Sequence, residues 1–454
     1  MSIRIPKRMT TAILQSLAAG VVPRVGLEHI AVGRAEEIAA LLYDLDSVVA
    51  EGGASFRLIL GRYGSGKSFL CQLIRNYALQ RNFVVADADL SPERRLTGSQ
   101  GQGLGLYREL LNNMATRTRP DGNAFSAILE RWISDAQTEV MQRTQISPTT
   151  PDFSDAVEQR IHTTVAEMQG MVHGFDFATV INAYWKGHWT GDDRLKSAAL
   201  RWLRGEYSQK SDAREALGVR VIIDDAGWYD YIKLLGHFVR DIGYNGLVIF
   251  IDEAVNLYKI ANRIARNNNY ERLLTIFNDT LQGKAQYLGV IIGATPQMVE
   301  DPNRGLYSYE ALRSRLSESR FVRQGLRDLS GPMIRLETLS NTEIFVLLQR
   351  LQELHGIQYG YVPKLNDSHV QSFMAEILNR VGADQLLTPR ELVRDFIAIL
   401  NVLQQNPNQT FESIVHGGDF QFTQVAADPE ALKPETEIHD DINATSTPFA
   451  NFRI

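Results

Sequence analysis

FRLILGRYGSGKSFLCQLIRNYAL, residues 56–79, decides how the rest of the chain is read. Phe56 to Leu60 form an apolar-biased run of the kind buried in a parallel sheet. They lead straight into Gly61-Arg62-Tyr63-Gly64-Ser65-Gly66-Lys67-Ser68, which matches G-x-x-x-x-G-K-[ST]. Phe69, Leu70, Leu73, Ile74, Ala78 and Leu79 then recur at helical spacing, so the loop sits between a strand and an amphipathic helix, the context the motif requires. Glycines let the backbone curl until successive N–H groups and the positive end of the helix dipole face a polyphosphate. The expected contacts are Gly61, Gly64, Ser65, Gly66, Lys67, Ser68 and Phe69, with Lys67 reaching the β/γ oxygens and the Ser68 hydroxyl ligating Mg²⁺. The stretch predicts that the chain binds a nucleoside triphosphate, with ATP and Mg²⁺ as cofactors.

Downstream, Gly246-Leu247-Val248-Ile249-Phe250-Ile251-Asp252-Glu253 is an apolar run ending in two acids, the Walker B pattern. Asp252 is expected to hold Mg²⁺ and Glu253 to polarise an attacking water. A further buried strand, Tyr287 to Gly293, ends in Ala294-Thr295-Pro296, and IRLETL reads as a fifth strand. Between the first two strands and the acids lie about 185 residues from Lys67 to Asp252, occupied from 118 to 243 by long helical patterns. Asp87 and Asp89 end the second strand, where they either reach the nucleotide or cap the strand end. Trp185, Trp189, Trp202 and Trp228 read as helix-packing residues, and His162, His173 and His188 are too scattered for a metal site.

Net charge is −6, so nothing in the composition supplies a global basic field, and any nucleic-acid contact must come from a local patch. Two candidates stand out: Arg263, Arg266 and Arg272 on the helix after the acids, and the arginine-rich 301–335 segment with Arg304, Arg313, Arg315, Arg320, Arg323, Arg327 and Arg335. A solvated helix end is the default reading of the first, and a solvent-facing arginine helix is the competing reading of the second. The single cysteine, Cys71, sits among apolar positions and cannot form an internal disulfide, and no stretch reaches the roughly 18 apolar residues of a membrane span. These features predict a cytoplasmic protein with no membrane partner. Ser340 with Glu343 makes a capping box, the helix continuing through 351, and the polar tail beyond 421 reads as disordered or as a peptide docking through Phe449 and Phe452.

In this order the motifs from about Gly26 to Gln404 resemble the AAA+ superfamily of ATPases. The resemblance implies an adenine-side element at Val32-Gly33-Arg34 with Glu37, a sensor at Thr295, an arginine finger at Arg315 (with Arg313 in reserve) that completes a neighbouring subunit's site, and a second sensor at Arg390 in Thr388-Pro389-Arg390-Glu391. The strings GRYGSGKSFL, DADLSPERRL, ALRWLRGEY, FIDEAVNLYKI and GLYSYEALRSRL further resemble bacterial BREX-system ATP-binding proteins of the BrxD-like type. The implied fold class is α/β: an AAA+ P-loop NTPase core with a parallel sheet, a large helical insertion between core strands, and a C-terminal helical lid. The implied division is 1–50, N-terminal helical and adenine-side segment; 51–117, first part of the core; 118–243, helical insertion; 244–338, second part of the core; 339–420, lid; 421–454, acidic tail. The implied function is an oligomeric ATPase acting on DNA or on a helicase-like partner in anti-phage defence. A nucleotide-gated switch or scaffold with little turnover is the alternative, and the long spacing and paired sensors disfavour a small-molecule kinase.

Overall fold

Alternation along the strands explains why this chain builds a sheet covered on both faces. On the strand β1 (Ala54–Leu60), Phe56, Leu58 and Leu60 enter one core while Ile59 enters another. On the later strand at Leu247–Asp252, Leu247, Ile249 and Ile251 join the first core, and Val248 and Phe250 the second. A strand with apolar residues on both faces cannot leave either face in water, and helices must cover both. The computed structural model describes residues 5–147, 150–166, 168–317, 327–363, 365–380 and 388–415. Arg320, Arg323 and the tail with Phe449 and Phe452 lie outside the described residues.

In chain order the elements are α1 (Lys7–Ala18), α2 (Ala35–Tyr43), β1, α3 (Lys67–Gln80), β2 (Val84–Asp89), α4 (Gln102–Asn112), α5 (Phe125–Thr144), α6 (Pro151–Ala166), α7 (Gly174–Thr190), α8 (Asp193–Leu203), α9 (Lys210–Leu217), α10 (Trp228–Asp241), β3 (Leu247–Asp252), α11 (Val255–Lys259), α12 (Arg263–Leu281), β4 (Leu288–Ala294), α13 (Pro296–Glu300), α14 (Glu310–Leu316), β5 (Met333–Arg335), α15 (Asn341–Tyr359), α16 (Asp367–Arg380), α17 (Pro389–Gln405) and α18 (Phe411–Val415). The fold is α/β, with a five-stranded sheet in the order β2-β3-β4-β1-β5, parallel throughout. Helices α4 to α10 all fall between β2 and β3, and their buried faces join the core on one side of the sheet. There Trp202 and Trp228 are fully buried and donate their indole N–H groups to the carbonyls of Val221 and Leu96, both at 2.8 Å. Trp185 is buried and Trp189 partly exposed beside it, so all four tryptophans pack between helices.

The sequence pattern predicts one helix running from 254 to 281, and the structure corrects this. The chain breaks at Ile260–Asn262, where the Asn262 side chain accepts from the N–H groups of Ile264 and Ala265 and so caps α12. The carbonyls at the end of α11 are taken up by Arg304, which donates to Tyr258, Lys259 and Ile260, and by Arg266, which donates to Ile260. The fifth strand is also shorter than IRLETL suggests: β5 covers only Met333–Arg335.

A third core joins α1 to α15, α16 and α17 through Ile13, Leu14, Leu348, Leu351, Phe373 and Phe396. Within it His355 is fully buried between the Tyr361 hydroxyl at 2.9 Å and the Asn401 side-chain oxygen at 3.0 Å. Burial pushes this histidine below its ordinary value of 6.5, so the native state disfavours the proton that the unfolded chain accepts. The contribution of His355 to stability is therefore whole above 6.5 and is lost as the pH falls through the depressed native value. Thermal midpoints followed on the acid side of 6.5 should fall for the parent and fall less steeply for His355→Asn.

Within the sheet, Arg57 on β1 is buried and spends its guanidinium on Asp44, at 2.5 and 2.8 Å, and on the carbonyls of Leu329 and Gly331. Removing one partner leaves the other charge buried and unpaired, so Arg57→Ala should cost about 3–5 kcal/mol in the first transition of a urea denaturation. The exposed helical pair Arg143–Glu139 is the control: Arg143→Ala should cost no more than about 0.5 kcal/mol.

Candidate functional site

Because all the strands run the same way, their C-terminal ends meet at one edge of the sheet, and ligands of open α/β sheets sit in the crevice there. A cleft of about 700 Å³ opens at that edge. Leu60 at the end of β1 passes into the glycine loop and α3, while Asp89 ends β2 in register with Asp252 on β3. Gly64 and Gly66 adopt left-handed backbone conformations, φ +73° and +93°, which turn the loop back over the first residues of α3. The Lys67 ammonium donates to the carbonyls of Gly61 (2.9 Å) and Arg62 (3.0 Å). The Ser68 hydroxyl donates to the Asp252 carboxylate at 2.5 Å, the closest polar contact between the loop and β3. The other Asp252 oxygen accepts from the N–H of Glu253, whose backbone is held at φ +55°, a strained conformation for a side chain of that size.

Burial and like charge set the electrostatics of this corner. Burial, then Asp252, then Asp89, raise Glu253 above the ordinary carboxylate range; burial, then Asp252 and Asp87, do the same to Asp89. Burial lowers Lys67 against the opposing pull of Asp252 and Glu253. Asp87 and Asp89 both line the cleft, and Asp87 is engaged there by Arg75 at 2.8 Å. Cys71 is a buried core thiol that burial holds firmly protonated.

Thr295 lines the cleft one residue beyond β4, and its hydroxyl caps α13 by accepting from the Met298 N–H at 3.3 Å. Arg34 reaches across from the start of α2 to donate to the carbonyls of Ser65 (3.3 Å) and Glu337, tying that segment to the loop. Gly33 does not line the cleft: it packs against Glu343, where a Cβ would collide with the carboxylate. Phe69 stands half-buried in the cleft wall and Arg390 lies at the first turn of α17, facing the loop. Arg315 is not brought to this cleft; it is exposed on α14, with its Nε donating to Asn278 at 3.1 Å. Arg266 and Arg304 are corrected from the solvated or nucleic-acid faces expected of them, because both are committed to the α11 carbonyls.

Several residues of the site escaped the sequence reading. Gly293 on β4 leaves the space into which the Asp252 carboxylate leans, and a Cβ there would meet its Oδ1. The apolar wall comes from distant segments, Val21, Val22 and Ile30 together with Leu339, Leu347 and Val393, none marked by a local motif. Tyr63 in the loop itself is exposed and lies under Arg390. Among the described residues no group of three or more His, Cys, Asp or Glu side chains is placed to hold a metal. One hydroxyl and one carboxylate are nonetheless a fitting protein share for Mg²⁺, which keeps most of its octahedral shell for water and phosphate oxygens. The Ser65 hydroxyl, buried in the loop with no hydrogen-bond partner, is a further polar atom left for a bound anion.

A parallel α/β sheet carrying a glycine-rich loop, a lysine and a hydroxyl–carboxylate pair at its C-terminal edge places the chain among proteins built to hold a phosphorylated ligand. More narrowly, it belongs to the family described as BREX system ATP-binding protein BrxC/D, whose model matches residues 5–419. No curated protein matches the chain. No described helix is long and apolar enough to cross a membrane.

The loop geometry carries its own test. A Cβ on Gly64 would approach the Thr388 Cβ to 2.5 Å at a positive φ, so Gly64→Val should weaken ATP binding by at least about 10-fold, read by titration calorimetry, with the circular dichroism spectrum unchanged.

Proposed function

We propose that this chain is an ATPase with an AAA+ core that uses ATP to act on DNA, or on a helicase-like partner bound to it, in bacterial anti-phage defence. The single observation that carries the reading is the 2.5 Å contact from Ser68 to Asp252, with Glu253 next in sequence on the same half-buried wall. Lys67 lies on the loop within reach of a bound triphosphate, and the curled backbone from Gly61 to Phe69 presents its N–H groups to the phosphates. Ser68 and Asp252 would hold Mg²⁺, which neutralises charge on the phosphate oxygens when bound. Glu253, raised by burial, is suited to take a proton from the attacking water, and Thr295 at the adjoining strand end to orient that water. We read residues 339–420 as a lid, Arg390 as its contact with the terminal phosphate, and 118–243 as an insertion between core strands.

Arg315 suits a role in trans, since it is exposed and turned away from its own cleft, so the active unit in this reading is a homo-oligomer. Duplex DNA, if bound, would meet the exposed Arg263 and Arg313 rather than the buried arginines. The test is ATP turnover at several protein concentrations, with and without duplex DNA. Glu253→Gln should lower turnover by about 100-fold or more while keeping ATP binding. Arg315→Ala should lose the rise of turnover with protein concentration. Tight ATP binding with negligible turnover under all conditions would replace this reading with a nucleotide-gated switch.

A further inference from the structure

The contact between the phosphate loop and the first turn of α17 has more structure than holding two elements together requires. Arg390 donates from Nη1 to the Tyr63 hydroxyl at 2.6 Å, and its guanidinium lies 5.7 Å from the centre of the Tyr63 ring. Close by is Gly20, at φ +70°, where a Cβ would come within 3.1 Å of the Arg390 Nε. The guanidinium is therefore bonded to a phenol hydroxyl and lies close to a bare backbone. One residue along the loop, Gly64 lets the backbone pack directly on Thr388, and Thr388 caps α17 in a reciprocal box with Glu391. Tyr63 is 60% exposed, so its ring is not used by the core.

We propose that Tyr63 is a positioning residue that lets the cleft distinguish a nucleoside triphosphate from a diphosphate, by fixing the Arg390 guanidinium beside the loop before the ligand arrives. The inference rests on the reading of the cleft as an ATP site. An arginine has five N–H donors in a rigid fork, and the bond to Tyr63 uses one of them, so the others remain for phosphate oxygens. A free arginine loses rotamer freedom when it is ordered, and one already held by a phenol loses less on binding. The benefit reaches only a ligand long enough to meet the guanidinium, and so favours the terminal phosphate of a triphosphate. A diphosphate, held by the loop backbone, Lys67 and Ser68, gains nothing from it.

The experiment measures ATP and ADP affinity by calorimetry, with Mg²⁺, in a Glu253→Gln background so that the triphosphate survives. Tyr63→Phe keeps the ring and removes only the hydroxyl acceptor; at an exposed position it should fold as the parent does. It should weaken ATP about 3–10-fold and leave ADP within about 2-fold. Tyr63→Ala, which removes the whole side chain beside the guanidinium, should weaken ATP at least as much as Tyr63→Phe does. Arg390→Ala should erase the preference for ATP over ADP, and adding Tyr63→Phe to it should change neither affinity, the coupling expected of a residue that works through another. Equal weakening of both nucleotides by Tyr63→Phe, an effect that persists without Arg390, or no effect on either nucleotide would overturn the proposal. If the parent binds neither nucleotide, the ATP-site reading itself fails and this inference falls with it.

Discussion

The arrangement of this protein depends on the burial of both faces of one parallel sheet. Strands apolar on both sides must be covered on both sides, and parallel pairing requires crossovers that bring every strand back in the same direction. The consequence is chemical. Four strands deliver Gly61, Asp89, Asp252 and Thr295 to one edge, although the chain separates the first from the last by more than half its length. The register of β2 on β3, which sets Asp89 beside Asp252, is fixed by the alternation of Val84, Ala86 and Ala88 into one core and Val85 into the other. A slip of one residue would reverse every face and move the carboxylates apart.

At that edge the local electrostatics favour a cation and a polyphosphate together. Burial and then the Asp252 charge raise the cost of ionising Glu253 and Asp89, while Lys67 bears the cost of its own burial. A divalent cation would relieve the carboxylates and a phosphate chain would engage the lysine, so the ligand is complementary to both sides of an imbalance that the fold creates. The strained backbone of Glu253 belongs to the same design, since β3 must end and turn away within one residue of the Ser68 contact.

The arginines show how a tertiary structure divides residues of the same kind into different uses. Arg57, Arg266 and Arg304 are spent inside on carbonyls and a carboxylate, where each satisfies groups that would otherwise be buried without partners. Arg327 gathers Glu36, Glu37 and Glu337, and Arg34 bridges the loop to the segment after β5. Arg313 and Arg315 stay exposed on α14, and Arg390 faces the glycine loop across the cleft that Arg34 also lines.

The sequence by itself determined the strand–loop–helix around Lys67, the acid pair at the end of β3, the long run of helices between β2 and β3, and the cap at Ser340. Each is written in neighbouring residues, because glycine conformations, capping and hydrophobic period act over a few positions. Local pattern could not break the helix at Ile260, since the break depends on Arg304, far along the chain, accepting the role of capping α11. Nor could it separate Arg266 from Arg263, three positions apart on one helix but opposite in burial. The apolar wall of the cleft, Gly293 behind Asp252 and the Tyr63–Arg390 pair were decided only by tertiary structure. They join residues as much as 327 positions apart, and a contact at that separation is set by how the layers pack rather than by any pattern either partner carries.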